Sequence, residues 1–344
     1  MVSREVRIVV VGLGTVGRWL VGALHTHRSR LESRYGFHPK LVAVATARDG
    51  FVSRADGLDP LAVLDGRLEA LSGVRFPTAL DGLGAIEADV VVEVTASPAE
   101  SGEPGLTHMR EALRNRIAVV TSNKWPIALH GLELVELARA QGVPFRAEST
   151  VMSGTPLLRA LVDGLAGTTP IALRGILNAT ANFILTRMEE RSTYEDALVE
   201  AQARGLAERD PAADVEGYDA MAKAMILANL VFEHQLRADD VVRRGIVDVD
   251  RAQVDAARAA GARIKELVTL ERSGATGLTA RVEPTLVPVT DPLAAVDGVA
   301  NAVVCRTKPV GEVVVSGPGA GPELAGQGVF SDLIDVAVAR RRSR

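Results

Sequence analysis

Residues 6–17 read Val6-Arg7-Ile8-Val9-Val10-Val11-Gly12-Leu13-Gly14-Thr15-Val16-Gly17. The first half is a β-branched apolar run of strand length, and glycines follow it at once with the spacing GxGxxG. From Arg18 to about Arg34 apolar residues recur at helical spacing, so the stretch predicts strand, tight turn and helix. In such a turn Gly12 permits the sharp bend, Gly14 lets the backbone approach a pyrophosphate, and Gly17 lets the helix close on the strand. Thr15 and Val16 complete the turn at the helix N-terminus, where phosphates bind. The alternative is a glycine turn with a structural role only.

The rest of the N-terminal region repeats the alternation. Further strands are predicted at 40–46, 74–76, 89–95, 117–121 and 144–148, with helical stretches between them. Buried-type strands alternating with helices specify a doubly wound parallel sheet, so residues 1–150 are expected to form a Rossmann-type α/β nucleotide-binding domain. Beyond Thr150 the rhythm changes. Helices are predicted at 156–164, 194–204, 215–236 and 249–270, with a strand-like stretch at 174–179. Extended segments follow at 278–287, 301–307 and 311–317, the last two joined by a hairpin at Thr307-Lys308-Pro309-Val310-Gly311. This is an α+β domain, expected to span 151–316, to carry catalysis and to pair with a second copy in a homodimer or larger homo-oligomer.

Composition limits what the chain does. With 43 acidic residues against 39 basic ones the net charge is −4, and the basic residues are scattered apart from a tail at Arg340–Arg344, expected to be a solvated end. Binding to nucleic acid led by charge is therefore not expected. No apolar run has the length of a membrane span, and Met1-Val2-Ser3-Arg4-Glu5-Val6 leads into a strand without a signal-peptide core. A cytoplasmic protein with no membrane partner and a small-molecule substrate is expected. The single Cys305 excludes an intramolecular disulfide, and the dispersed histidines lack zinc-ligand grouping.

Four segments carry candidate chemistry. The second strand ends Val44-Ala45-Thr46-Ala47-Arg48, with no acid until Asp49. An Arg there pairs with a 2′-phosphate and Thr46 offers a hydrogen bond, which favours NADP over NAD; the alternative is a solvated Arg48 with Asp49 as the ribose-binding acid. Thr95 and the run Thr121-Ser122-Asn123-Lys124 stand at the carboxyl ends of two strands, where ligands of such sheets bind. Lys124 there binds a carboxylate or polarises a carbonyl, unless it is a surface lysine in a turn. In the acidic segment 205–223, Asp214 is expected to cap a helix on which Asp219 and Lys223 lie four residues apart. A buried lysine beside a carboxylate is a proton-transfer group, and neighbouring acids recognise an ammonium; the plainer reading is an ordinary salt bridge. Finally, Glu148-Ser149-Thr150-Val151-Met152-Ser153-Gly154-Thr155-Pro156 leaves the sixth strand as a hydroxyl-rich loop.

Together these motifs resemble homoserine dehydrogenase. The resemblance is collinear over nearly the whole chain, through VGLGTVG, DVVVEVT, TSNK, ESTVMSGTP, GILNATANFIL, GLAERDPAADVEGYDAMAK and Gly317-Pro318-Gly319-Ala320-Gly321. It implies that Lys223 exchanges a proton with the substrate hydroxyl, that Asp219 positions that hydroxyl, and that Glu208 holds the substrate ammonium with Asp214 in the same pocket. It places Thr180 at the substrate pocket and Lys124 at the nicotinamide end of the sheet. It implies a structural monovalent cation, usually sodium, held by the loop through Glu148, Val151, Ser153 and Thr155. Gly319 and Gly321 match a stretch that returns to the nucleotide domain, so residues from about 317 to 344 are expected to complete it. A short form, without a regulatory ACT domain or a fused aspartate kinase, is expected. Two positions depart from the family's pattern. Ala179 stands for the usual glycine of Asn-Gly-Thr, in what is read as a strand, and Trp125 replaces a small residue beside Lys124. The alternatives are a dehydrogenase of another amino or oxo acid, or a regulatory protein that binds NADP without turnover.

Overall fold

A computed structural model describes residues 4–66, 68–274 and 276–342. The chain divides into two compact units: Met1–Gly154 with Gly321–Arg344, and Thr155–Ala320. In the first unit a sheet of seven strands has the order β4-β3-β2-β1-β5-β6-β7. The strands are β1 (Arg4–Val11), β2 (Phe37–Thr46), β3 (Gly50–Ser53), β4 (Val74–Phe76), β5 (Val90–Glu93), β6 (Ala118–Thr121) and β7 (Phe145–Arg146). Strands β1, β2, β5, β6 and β7 run parallel, as the alternation predicts. At one edge, β3 and β4 run antiparallel instead. The turn after Thr46 is too short for a crossover helix, and Gly50, at φ +70°, starts a strand that doubles straight back.

Helices α1 (Thr15–Thr26), α2 (Gly105–Arg114), α3 (Lys124–Gln141) and α4 (Ser149–Met152) belong to this unit. Along α1 the buried positions Gly17, Leu20, Val21 and Leu24 follow helical spacing, which puts one stripe against the sheet. A C-terminal helix, Pro322–Arg342, returns to the same core and buries Val329, Leu333 and Val336 beside Val10, Val92 and Val120. The side chains of the Arg340–Arg344 tail lie outside the described residues.

The second unit is a sheet of six strands, order β13-β12-β8-β10-β11-β9. Its strands are β8 (Thr169–Ile176), β9 (Val241–Arg243), β10 (Ala262–Ser273), β11 (Gly277–Pro288), β12 (Ala300–Lys308) and β13 (Gly311–Pro318). Its helices include α5 (Ala179–Glu189), α6 (Tyr194–Ala203), α7 (Ala212–Val215), α8 (Tyr218–Val231) and α9 (Arg251–Ala259). The expected hairpin between β12 and β13 is present, and Cys305 is buried in β12.

Several sequence expectations are corrected here. The helix predicted over 249–270 stops at Ala259. Gly261, at φ +69°, turns the chain, and 262–273 is a strand between β8 and β11. Asp214 does not cap the long acidic-segment helix. It lies in α7, and Gly217, at φ +81°, separates α7 from α8. Asn178-Ala179-Thr180 is not strand: Asn178 caps α5, accepting from the Ala181 amide at 2.8 Å. Residues 317 and 318 still belong to β13, pairing with Asn301 and Ala300, so the return to the first unit comes at Gly321.

Candidate active site

In the first unit the glycine turn is built by contact. A Cβ at Gly12, whose φ is +102°, would meet the Val94 carbonyl oxygen at 2.7 Å, and one at Gly17 would meet the Gly12 carbonyl oxygen at 2.0 Å. A Cβ at Gly14 would meet nothing within 4 Å. Gly14 is the N-cap of α1 and supplies no side chain to cap it, so the amides of Thr15, Val16 and Gly17 begin the helix without a side-chain acceptor from the cap. Tight glycines on either side of an open, uncapped helix start are the arrangement that receives a phosphate.

The Gly12 amide donates to the Ala45 carbonyl at 2.9 Å, which sets this turn beside the end of β2. There Thr46, Arg48 and Asp49 form one cluster. The Thr46 hydroxyl donates to the Asp49 carboxylate at 2.7 Å, and Arg48 Nε donates to it at 3.0 Å. Thr46 and Arg48 hold the Asp49 carboxyl below the ordinary carboxylate range. Thr46, expected to face a ligand, thus serves its neighbour, while the Arg48 side chain is 79% exposed.

The carboxyl ends of β5 and β6 hold a network centred on Glu93, which sequence reasoning missed. Glu93 is fully buried. It accepts from the Thr95 amide at 3.2 Å, from the Thr95 hydroxyl, and from Asn123 Nδ2 at 3.1 Å. Asn123 also donates to Ser97 at 2.8 Å, and the Thr121 hydroxyl donates to the Glu93 carbonyl at 2.8 Å. Asn123 is the N-cap of α3, yet its side chain makes no capping bond. Half-buried Ser122 and Lys124 flank it, with half-buried Trp125 in the first helical turn. A carboxylate inside the apolar run Val90-Val91-Val92-Glu93-Val94 was the available signal: an acid in a buried strand needs fixed partners.

In the second unit, Lys223 and Asp219 are bonded at 2.8 Å with about a tenth of each side chain exposed. Lys223 Nζ also donates to the Leu177 carbonyl at 2.6 Å. Asn178 Nδ2 donates to Asp214 at 2.7 Å and to Asp219 at 3.0 Å, so one amide ties two acids from α7 and α8 to the start of α5. The Thr180 hydroxyl donates to the Leu206 carbonyl at 2.9 Å. Burial raises the Asp214 carboxyl, the bond from Asn178 opposes the rise, and Asp219 adds to it. Two carboxylates tied by one amide, one of them bonded to a buried lysine, are poised for proton transfer. Asn178, missed as a bridging residue, was hidden by its reading as strand. Glu208 is exposed in the loop after α6, where its carbonyl accepts from Gln202 at 3.1 Å.

The loop after β7 places Glu148, Val151 and Ser153 in the first unit, with Glu148 4% exposed and Val151 1%. Ser153 ends α4 at φ +51°, and its carbonyl accepts from the Ser149 hydroxyl at 3.2 Å. Thr155 begins the second unit and donates to the Pro318 carbonyl at 2.9 Å. Gly319 packs on Asn301, and Gly321 has φ +135°. Among the described residues no group of three or more His, Cys, Asp or Glu side chains is arranged to hold a metal ion, and no helix is long and apolar enough to cross a membrane.

Known proteins are similar to this chain in sequence and fold. The family model described as the homoserine dehydrogenase NAD-binding domain matches residues 12–148, and that described as homoserine dehydrogenase matches residues 156–334. An NAD(+)-dependent homoserine dehydrogenase of Pseudomonas canavaninivorans is 36% identical over 99% of this chain and 98% of its own length. A homoserine dehydrogenase of Methanocaldococcus jannaschii is 37% identical over 96% of this chain and 98% of its own. A hyperthermophilic archaeal homoserine dehydrogenase solved in complex with NADPH superposes with a TM-score of 0.80 at 30% identity, covering 97% of this chain and 98% of that one. With both units matched, and the lysine and carboxylate cluster built in the second of them, the chain belongs to the homoserine dehydrogenase family.

Proposed function

We propose that this protein is a nicotinamide-dependent oxidoreductase that interconverts L-homoserine and L-aspartate 4-semialdehyde, a step in aspartate-family amino-acid biosynthesis. The observation that carries the reading is the buried Lys223–Asp219 pair, bridged through Asn178 to Asp214, in a chain of this family. A bound dinucleotide supplies the hydride acceptor or donor. The amides of Thr15, Val16 and Gly17 at the uncapped start of α1 would hold its phosphates, a surface that the open Gly14 position fits. In reduction, protonated Lys223 gives its proton to the new alkoxide, and its present bonds to Asp219 and the Leu177 carbonyl suit the charged form. In oxidation, neutral Lys223 takes the hydroxyl proton. Asp219 orients the lysine and the hydroxyl, Asp214 and Glu208 receive the substrate ammonium, and Lys124 binds at the carboxyl end of the first unit's sheet. Arginine would serve poorly at Lys223, because it stays protonated at any working pH. The test is NADPH consumption on adding L-aspartate 4-semialdehyde and its reversal with L-homoserine; turnover of other semialdehydes alone would point to a related dehydrogenase.

For the cofactor, we read Arg48 as the partner of a 2′-phosphate, supported by its exposure and by its bonding to Asp49 through Nε. Arg48→Ala is then expected to raise the KM for NADPH about tenfold, the worth of one charge-assisted hydrogen bond, and to spare NADH. The opposite outcome, a loss confined to NADH in Asp49→Ala, would assign the site to NAD, the cofactor in the name of the Pseudomonas relative. A monovalent cation is proposed at the loop from Glu148 to Ser153, supported by the burial of the Glu148 carboxylate, an oxygen ligand suited to a hard ion. A homo-oligomer is proposed from the edge strands of the second sheet, where Val242 of β9 and Val314 of β13 are half-exposed, and a cytoplasmic location from the proposed biosynthetic role.

A further inference from the structure

Glu266 lies on β10 and is 3% exposed. Neither of its carboxyl oxygens meets a protein hydrogen-bond partner among the described residues. Lys265, its neighbour in the strand, turns to the other face and bonds the Val296 carbonyl at 2.7 Å. Glu266 faces the opposite way, with Oε1 3.4 Å from the Cβ position of Gly217, at the junction of α7 and α8. The charged groups that act on it are Asp219 from α8, Asp214 from α7 and Lys223 from α8, the two helices that meet at Gly217. From β9, Arg243 also touches that glycine, but its guanidinium lies 3.6 Å over the Tyr218 ring and donates to the Glu216 carbonyl.

Three carboxyls and one lysine therefore act on one another, Glu266 and Lys223 buried and Asp219 and Asp214 half-buried. Fully ionised they would carry two uncompensated negative charges, and an ionised carboxylate with neither water nor hydrogen bonds is strongly disfavoured. One of the three must keep a proton. Asp219 has Lys223 and Asn178, and Asp214 has Asn178. Glu266 has none of these, so the proton settles there.

We propose that Glu266 is a positioning residue for proton transfer: a neutral carboxylic acid behind Asp219 and Lys223 that, by holding its own proton, leaves Lys223 able to release one. Burial pushes the Glu266 carboxyl up to about 8, with Asp219 and Asp214 adding to the rise and Lys223 opposing it. Once Glu266 ionises, a further anion beside Lys223 holds the lysine proton more tightly, which works against homoserine oxidation. The inference rests on the reading of Lys223 as the proton carrier.

The first test is the pH profile of kcat/KM for homoserine oxidation in the wild type, Glu266→Gln and Glu266→Asp. Glu266→Gln removes the anion that develops in the alkaline range, so the rise of kcat/KM is expected to begin about half a pH unit lower or more. Glu266→Asp is expected to stay close to the wild type, and the KM for the dinucleotide to be unmoved in both. Superimposable profiles, or a uniform loss with an unmoved limb, overturn the proposal. The second test needs no activity. The infrared spectrum of the wild type is expected to show the C=O stretch of a buried protonated carboxyl at pH 7 that fades as pH passes about 8 and is missing from Glu266→Gln. Absence of that band from the wild type at pH 7, or its persistence in the variant, overturns the proposal whatever the substrate proves to be.

Discussion

The second unit buries two lysines, and their surroundings differ in kind. Lys265 is fully enclosed and is held by neutral or distant acceptors: the Val296 carbonyl at 2.7 Å, Asp297 at 3.3 Å and the Asn182 side chain at 3.4 Å. Burial, with Arg263 adding to it, lowers its hold on its proton. Around it Asn182 also donates to the carbonyls of Val296, Gly298 and Ala300, so the lysine belongs to a brace between α5, β10 and the segment before β12. Lys223 has one carbonyl and a close carboxylate, with Asp214 and Glu266 among the neighbouring acids. Three acceptors around one enclosed ammonium, drawn from separate segments, make a strut. A lysine bonded to a carboxylate, with further acids near by, has partners with which a proton is exchanged.

Substitution of each lysine by methionine should separate the two roles. Lys223→Met is expected to lower kcat/KM about 10²–10⁴-fold, the usual worth of a positioned acid–base group, with nucleotide binding preserved as read by fluorescence titration. Comparable activity in the two variants would erase the contrast. A second prediction uses pH. Glu266 binds its proton more tightly folded, at about 8, than unfolded, at 4.5, so the folded state holds the extra proton between these values. Stability should therefore fall as pH rises from 4.5 towards 8. The loss is on the order of 5 kcal/mol, and Glu266→Gln should flatten that slope in urea melts at a series of pH values.

The glycine turn supplies a third prediction, since its geometry depends on neighbours along the chain rather than on a distant cluster. Gly17→Ala sets a methyl 2.0 Å from the Gly12 carbonyl oxygen and must push α1 away from β1. Dinucleotide affinity is expected to drop about 10²-fold, as for a misplacement near 1 Å, with the fold kept by circular dichroism. Gly14→Ala, with open space at its Cβ, should cost the apo protein nothing in stability and act on dinucleotide binding alone. The smallest effect on catalysis belongs to Lys265→Met. Its kcat/KM should stay within about threefold of the wild type, while lost hydrogen bonds lower stability by roughly 1–3 kcal/mol, a fall of several degrees in Tm.

The same contrast explains what could be read from the amino-acid sequence. The turn at 12–17, the parallel strands and the pairing of Asp219 with Lys223 are written in local spacing, so they were legible. Glu93, Asn178 and Glu266 draw their meaning from partners remote in the chain, 30 residues away in the case of Asn123 and 41 in that of Asp219. Glu266 was further hidden because Ile264-Lys265-Glu266-Leu267 favours helix locally, and only pairing with β8 and β11 makes the segment a strand. The exposed position of Glu208 was equally beyond local pattern.

The central claim is that Lys223 carries the proton exchanged with the substrate oxygen. It is tested most directly by measuring homoserine oxidation by Lys223→Ala with and without added small primary amines. Without amine the rate should fall about 10²–10⁴-fold. With amine it should recover in part, and more so for more basic amines. Wild-type turnover by Lys223→Ala in the absence of amine would contradict the account.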